Sequence, residues 1–262
     1  MEKRKVTARV ISQEEIAGGI YDMWMETDLA ETGRAGQFIC IYPHDKSTLL
    51  PRPISICEAD KEKGRLRIVY RVAGKGTEEF SSYKEGDSIE IMGNLGNGFP
   101  LAAAEGKRVW LMGGGIGIPP MVQLAKDLKA EGKAAAVTVI AGYRDGQLFL
   151  KEDMERYASV YTATEDGSAG IKGNVMDAAA AEKLQAEVIM ACGPMPMLRA
   201  IKRYAMENNK EAYISLEERM ACGVGACLGC VCRTKKMDTH SHVKNARICT
   251  DGPVFPAADV DI

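Results

Sequence analysis

The chain lacks an excess of either charge: 34 Lys and Arg stand against 36 Asp and Glu, a formal net charge of -2. That balance excludes a broad attraction for nucleic acid or an anionic membrane, so small ligands or protein partners are the expectation. No apolar run approaches the ~18 residues of a membrane span. The opening MEKRKVTARVISQEEIAGG is basic but has no apolar core of the kind a secretory signal needs. Internal repeats and low-complexity tracts are missing too. A cytoplasmic protein is expected, and reducing conditions there disfavour structural disulfides. What is present is bulk: 262 residues, 46% of them hydrophobic, bury substantial cores and suggest more than one domain.

Short alternating segments fill residues 5 to about 100: KVTARVI, IYDMWMET, QFICIY, PISICE, RLRIVYRV and DSIEIMG. Period-two patterning of this length predicts an antiparallel sheet of six strands closed into a small β-barrel, with GTEEFSSY as a short helix. The texture changes at PLAAAEGKR. Strands RVWLMG, AVTVIAGY, SVYTAT and EVIMACG then alternate with helical stretches PPMVQLAKDLKAEG, NVMDAAAAEKLQA and PMPMLRAIKRYAMENN. That rhythm predicts βαβ units around a parallel sheet. After AYISLEE no long periodic stretch remains. The expected division is a barrel domain at 1–100, an α/β domain at 101–212 and a small domain at 213–262, whose stability would depend on a metal centre.

Four of the eight cysteines crowd into RMACGVGACLGCVC. Cys222, Cys227 and Cys230 follow the order C-x4-C-x2-C, with Cys249 later, which is the plant-type spacing for a [2Fe-2S] cluster. Gly223, Gly225 and Gly229 would let the loop curl and bring N–H groups toward the sulfurs. The alternative is a structural zinc site on Cys227, Cys230 and Cys249, or with His240 or His242. Zinc would leave the x4 interval and the glycines unexplained. Cys232 reads as a small hydrophobe pointing away, and Cys40 and Cys57 as strand core residues.

Several stretches suit nucleotides. In RPISIC, the fork of Arg52 suits a pyrophosphate and Ser55 offers a hydroxyl to a flavin ring, although Arg52 could equally be a surface cation. Gly76 and Thr77 offer N–H groups and a hydroxyl to phosphate, or form an ordinary helix cap. Gly113, Gly114, Gly115 and Gly117 follow an apolar strand and precede a helix, marking a close backbone approach to a dinucleotide. Glu165 and Asp166 would repel a 2′-phosphate and favour NAD over NADP, or simply form a solvated acidic turn. Cys192, before Gly193 at another strand-to-helix turn, could contact a nicotinamide or be buried structure.

The ordered set AGQF, RPIS, VYR, GKGT, GNLGNGF, GGGIGIPP and ACGPMPM resembles the ferredoxin–NAD(P) reductase superfamily over residues 36 to about 200. The tail, ERMACGVGACLGCVC followed by RICTDGPVF, resembles the electron-transfer subunits of class 1B dihydroorotate dehydrogenases. The resemblance implies a Rossmann-like NAD-binding domain behind a barrel that binds FAD through Arg52, Pro53, Ile54 and Ser55, through Val69, Tyr70 and Arg71, and through Gly76 with Thr77. It implies cluster ligands at Cys222, Cys227, Cys230 and Cys249. It also implies a separate FMN-containing catalytic subunit in a heterotetramer of two catalytic and two electron-transfer subunits. Electrons would leave FMN one at a time through the [2Fe-2S] centre, reach FAD and reduce NAD⁺ in pyrimidine biosynthesis. No catalytic triad is then required in this chain. Related subunits of sulfide dehydrogenases and ferredoxin-dependent transhydrogenases share the motifs and form the rival reading. The polar stretch TKKMDTHSH before Cys249 departs from the pattern and lengthens a loop.

Overall fold

The structure, a computed structural model, describes residues 4–238 and 242–262. Strands β1 (Arg4–Ala17), β2 (Ile20–Glu26), β3 (Phe38–Tyr42), β4 (Arg52–Asp60), β5 (Arg65–Arg71) and β6 (Ser88–Leu95) close into a barrel in the order β1-β2-β5-β4-β3-β6, antiparallel throughout. The six-stranded expectation is met. Because side chains alternate along a strand, every second residue faces inward. Ile39 and Ile41 of β3, Leu66, Ile68 and Tyr70 of β5, and Ile89 and Ile91 of β6 fill the barrel. Helix α1 (Lys75–Phe80) lends Phe80 to that interior.

The second layer is a seven-stranded sheet. It contains β7 (Arg108–Gly114), β8 (Ala136–Tyr143), β9 (Ser159–Thr164), β10 (Ile171–Lys172), β11 (Val188–Cys192), β12 (Glu211–Ser215) and, from the tail, β15 (Val254–Pro256). The spatial order is β10-β9-β8-β7-β11-β12-β15. Strands β7 to β12 pair in parallel and β15 runs antiparallel to β12. Helices α2 (Pro119–Glu131), α3 (Lys151–Glu155), α4 (Val175–Ala181) and α5 (Met195–Glu207) connect the strands. Helix α2 starts on two prolines, whose missing N–H groups cost nothing there, and stops at Gly132 in the left-handed region. Asn174 caps α4 by accepting from Met176 and Asp177 N–H at 2.8 and 3.3 Å. That helix is shorter than the 174–186 expected, because the chain turns at Lys183, where φ is +51°.

Both sheet faces are covered, as a parallel sheet requires. Val109 and Leu111 of β7 pack with α2, and this core reaches Cys57 and Val69 on the outside of the barrel. Trp110 and Met112 pack on the other face with α4 and α5, in a core that continues to Phe38, Cys40, Met92 and Leu95 of the barrel wall. The tail adds a hairpin of β13 (Val231–Arg233) and β14 (Asn245–Arg247) and buries Met220, Ile248, Phe255 and Val260 in that same core. The expected 212/213 division falls inside β12. The tail therefore has apolar anchorage besides any metal.

Asn97 clasps tail to barrel. Its side-chain amide donates to Asp251 O at 3.2 Å and Val254 O at 2.8 Å, and its Oδ1 accepts from Val254 N–H at 3.2 Å. Asn97→Ala strands three backbone groups and is expected to cost about 1–3 kcal/mol. Chemical denaturation checks this, and hydrogen exchange is expected to rise first around residues 251–256.

Candidate functional site

The cysteine loop lies directly on the barrel wall. Gly223 and Gly225 adopt φ of +66° and +85°, where a side chain would be strained. A Cβ at Gly223 would sit 2.6 Å from Met92 Cε and 3.5 Å from Cys40 Sγ. The curled backbone aims N–H groups at sulfur. Cys227 N–H donates to Cys222 Sγ, Gly229 N–H to Cys227 Sγ and Cys249 N–H to Cys230 Sγ, each at 3.4 Å. Burial alone would push the Cys222 thiol up, but the N–H groups of Cys227, Val224 and Ala226 outweigh it and bring the pKa down to about 6. Cys249 is pushed up to about 12 by burial and then by its bond to Cys230.

The thiols thus associate as Cys222 with Cys227 and Cys230 with Cys249. Two pairs suit two irons, each taking two thiolates, and the N–H donors would stabilise the negative charge of such a cluster. A single structural ion would leave the x4 interval and the glycine-curled N–H groups without a role. His240 lies outside the described residues, and His242 sits in a turn where its N–H donates to Asp238 O at 3.0 Å. Cys232 is half-buried at the edge of the core, its thiol pushed up to about 11 by burial. Cys40 and Cys57 are buried, as their strand positions suggested. The placement of Cys40 beneath the sulfur loop had no signal in the sequence.

On the barrel, Pro53 pairs with Cys40 and Ser55 with Phe38, so all four side chains share the outward face. Arg52 reaches back over the start of α1, where a Cβ at Gly76 would lie 2.8 Å from its Nε, so any larger residue there would push the guanidinium aside. The Thr77 hydroxyl accepts from Ala73 and Gly74 N–H and donates to Gly74 O, so its side chain serves the turn. Of the VYR triplet, Val69 packs against the sheet and Tyr70 lies inside the barrel, where its hydroxyl donates to Gln13 Oε1 at 2.9 Å. Arg71 is exposed, and among the described residues its guanidinium has no hydrogen bond or ion pair. It lies 3.7 Å from where a Cβ of Gly115 would be. Ile54 packs on the barrel interior.

The glycine run has two jobs. A Cβ at Gly113 would lie 2.9 Å from Ile118 Cα, one at Gly114 2.6 Å from Met197 Sδ, and one at Gly117 2.4 Å from Cys192 O. These three let the turn, α5 and the β11 end pack together, and Gly193 approaches Met197 in the same way. Gly115 alone faces the barrel's Arg71 across a gap. Cys192 is buried, its thiol pushed up by burial and by the Glu217 carboxylate. Glu217 escaped the sequence reading. It follows β12 at the carboxyl end of the sheet, where ligands bind in such folds, and desolvation raises its pKa although its side chain reaches solvent. An acidic residue just past ISL was the available signal. Glu165 and Asp166 are exposed past β9, two strands from the glycine turn, and Ser168 donates through N–H and hydroxyl to Asp166.

The structure brings Arg52 against Gly76, sets Arg71 3.7 Å from the Cβ position of Gly115 and packs Cys192 against Gly117 with Glu217 nearby, while Ser55 lies on the outward barrel face beside Phe38. A cavity of about 870 Å³, lined by Arg34, Phe99, Asp127 and Tyr213, includes none of the candidate site residues, although Ala35, Asn97, Gly98 and Phe99 in its wall belong to the AGQF and GNLGNGF stretches. Among the described residues no helix is long and apolar enough to cross a membrane.

Gly117→Ala drives a methyl group into the Cys192 carbonyl. A loss of about 1–3 kcal/mol is expected, because backbone, not a flexible side chain, must move. Thermal and denaturant unfolding check it, with Gly132→Ala, which meets nothing within 4 Å but sits at φ +62°, as the comparison for backbone strain alone.

Comparison with known proteins identifies the family. The family model described as the iron–sulfur cluster binding domain of dihydroorotate dehydrogenase B matches residues 217–261, and that described as an oxidoreductase NAD-binding domain matches residues 111–203. The dihydroorotate dehydrogenase B (NAD(+)) electron transfer subunit of Streptococcus pneumoniae (strain ATCC BAA-255 / R6) is 40% identical over 258 residues, 98% of each chain. That of Listeria monocytogenes serotype 4a (strain HCC23) is 42% identical over 97% of this chain and 98% of its own. Among solved structures, an NADH-dependent reduced ferredoxin-NADP oxidoreductase superposes with a TM-score of 0.85 at 29% identity, covering 97% of this chain and 89% of that one. A ferredoxin NADP+ reductase from Neisseria gonorrhoeae, 14% identical with a TM-score of 0.67, covers 83% of this chain and 95% of its own and shares the fold. The chain belongs to the family of dihydroorotate dehydrogenase B electron transfer subunits.

Proposed function

We propose that this chain carries electrons from an FMN-containing catalytic subunit, which oxidises dihydroorotate to orotate, to NAD⁺ at the crevice between barrel and sheet. The observation that carries this is a shared wall: the sulfur loop packs on Cys40 and Met92, and the same outward face presents Pro53 and Ser55. A [2Fe-2S] cluster supplies one-electron steps, FAD converts these to an electron pair, and NAD⁺ takes that pair as hydride.

The chain's own groups bind and position. Cys222, Cys227, Cys230 and Cys249 hold the cluster, and the loop N–H groups offset its negative charge. Arg52, Arg71 and the Gly76 backbone would hold the flavin pyrophosphate, and Ser55 would offer its hydroxyl to the ring. Gly115 lets the nicotinamide nucleotide approach, and Cys192 closes the pocket behind it. Glu165 and Asp166 set the preference for NAD. Around exposed Cys227, the exposed Val224, Leu228 and Val231 form an apolar surface that suits the catalytic subunit. The assembly is a heterotetramer of two catalytic and two electron-transfer subunits, working in the cytoplasm, whose reducing conditions suit a chain in which none of the eight cysteines forms a disulfide.

The deciding experiment is co-purification followed by assay. An FMN-bearing partner that gives dihydroorotate-dependent NAD⁺ reduction supports the reading. A glutamate-synthase-like partner, with ferredoxin-dependent transhydrogenation instead, replaces it. Cys227→Ser is expected to abolish the electron paramagnetic resonance signal of the dithionite-reduced cluster while flavin absorption persists; unchanged iron content shows that the ligand set is wrong. Replacing Glu165 and Asp166 together with Gln and Asn should weaken discrimination against NADP by roughly tenfold, about 1.4 kcal/mol. Steady-state kinetics with both nucleotides check this.

A further inference from the structure

A buried charge network, not used by the relay, bridges the two halves of the crevice. Arg67 on β5 donates to both carboxylate oxygens of Asp22 on β2 at 2.6–3.0 Å. Its Nη1 lies 3.6 Å from Glu58 of β4, and its Nη2 crosses to Asp153 of α3 at 3.3 Å. Glu58 also holds Lys126 of α2 at 2.7 Å, and Asp153 pairs with Arg156 at 3.2 Å. Three cations thus balance three carboxylates. Asp22, Glu58 and Arg67 belong to the barrel; Lys126, Asp153 and Arg156 belong to the sheet's helical layer. Two neutral bonds flank the network. Ala59 N–H donates to Gln123 Oε1 at 2.7 Å, and Gly18 N–H to Gln147 Oε1 at 2.8 Å.

Apolar packing is non-directional and by itself allows two layers more than one mutual setting. A buried ion pair does not, since moving one partner leaves a desolvated charge alone. Arg67 is 8% exposed and its partners Asp22, Glu58 and Asp153 are no more than 17% exposed at the side chain, so this centre of the network is of the second kind, with Lys126 and Arg156 at its more open rim. Its elements are also those of the crevice. Helix α2 begins two residues after Gly117, while β4 carries Ser55 and β5 ends at Arg71.

We propose that the Arg67 network is a positioning device that fixes the gap between the barrel's flavin face and the nucleotide end of the sheet, so that hydride donor and acceptor meet without domain rocking. This rests on the crevice being the site of hydride transfer. Arg67 touches neither nucleotide and acts only through the elements that do.

The test uses the complex with its catalytic subunit. Asp153→Asn and Lys126→Met, singly and together, each remove one cross-layer ion pair while leaving Arg67 with Asp22 and Glu58. Lys126→Arg keeps the pair. Flavin reduction by NADH is followed anaerobically by stopped flow over a range of NADH concentrations. The expected result for the double variant is a limiting rate about tenfold lower, since ångström-scale misplacement slows a reaction steeply. The half-saturating NADH concentration should move by less than about threefold, flavin content and the reduced-cluster resonance signal should be unchanged, and Lys126→Arg should behave as the parent. An unchanged limiting rate in the double variant, even with a lower Tm, overturns the positioning role. A parent complex that dithionite reduces and NADH does not overturns the hydride reading, and the positioning role with it; that failure is distinguishable because it occurs without any substitution.

Discussion

The outward face of β3 and β4 is the constraint from which the rest of the molecule follows. Period-two alternation sends Ile39 and Ile41 into the barrel and leaves Phe38 and Cys40 outside, with Pro53 and Ser55 beside them. A register slip of one residue would exchange these sets and destroy the barrel interior and the docking wall together. Because the wall is fixed by the same pleat that fills the barrel, the position of the sulfur loop is as firmly set as the core. Three units that share one wall cannot drift apart without exposing Met92, Leu95, Ile248 and Phe255 at once. Burying such side chains contributes about 1.5–3 kcal/mol each.

Two kinds of contact hold the crevice, and they differ in what they allow. The apolar cores on the two sheet faces supply most of the free energy and little directional preference. Directional contacts sit at the margins: Asn97 against residues 251–254 on the tail side, and Arg67, Glu58 and Lys126 on the α2 side. Barrel, tail and sheet held together by directional contacts keep a fixed spacing, which suits the exacting geometry of a hydride step better than a floppy hinge would.

The six barrel strands and the βαβ rhythm were legible because each rests on local patterning: alternation in QFICIY, and apolar strands followed by capped helices as in PPMVQLAKDLKAEG. The cysteine spacing was legible because ligand chemistry fixes intervals along the chain. What escaped depends on partners remote in sequence. Strand β15 is three residues including a proline, and it becomes a strand only because β12 offers an edge. Helix α3 is five residues and follows Leu150 in the left-handed region, leaving no period to read. Tyr70 and Arg71 are neighbours with opposite fates, one inside the barrel and one facing the glycine turn, which only the register of β5 decides. Glu217 lay two residues beyond the buried end of β12, where no spacing rule marks a site.

The sulfur loop has an outside and an inside, and that asymmetry links the fold to its task. Cys227 is exposed among Val224 and Leu228, whereas Cys230 and Cys249 are buried against the core that contains Phe38 and Cys40. The outer thiols are steadied by backbone N–H groups, which hold charge without excluding water, and the inner ones are enclosed by apolar side chains. A relay between a partner's surface and an internal wall is served by one accessible end and one dry end, because water around the inner end would have to reorient with every transfer. The chain meets both demands in 28 residues from Cys222 to Cys249. It does so by letting glycines curl the outer half onto the surface and by letting the β13–β14 hairpin carry the last cysteine back under it.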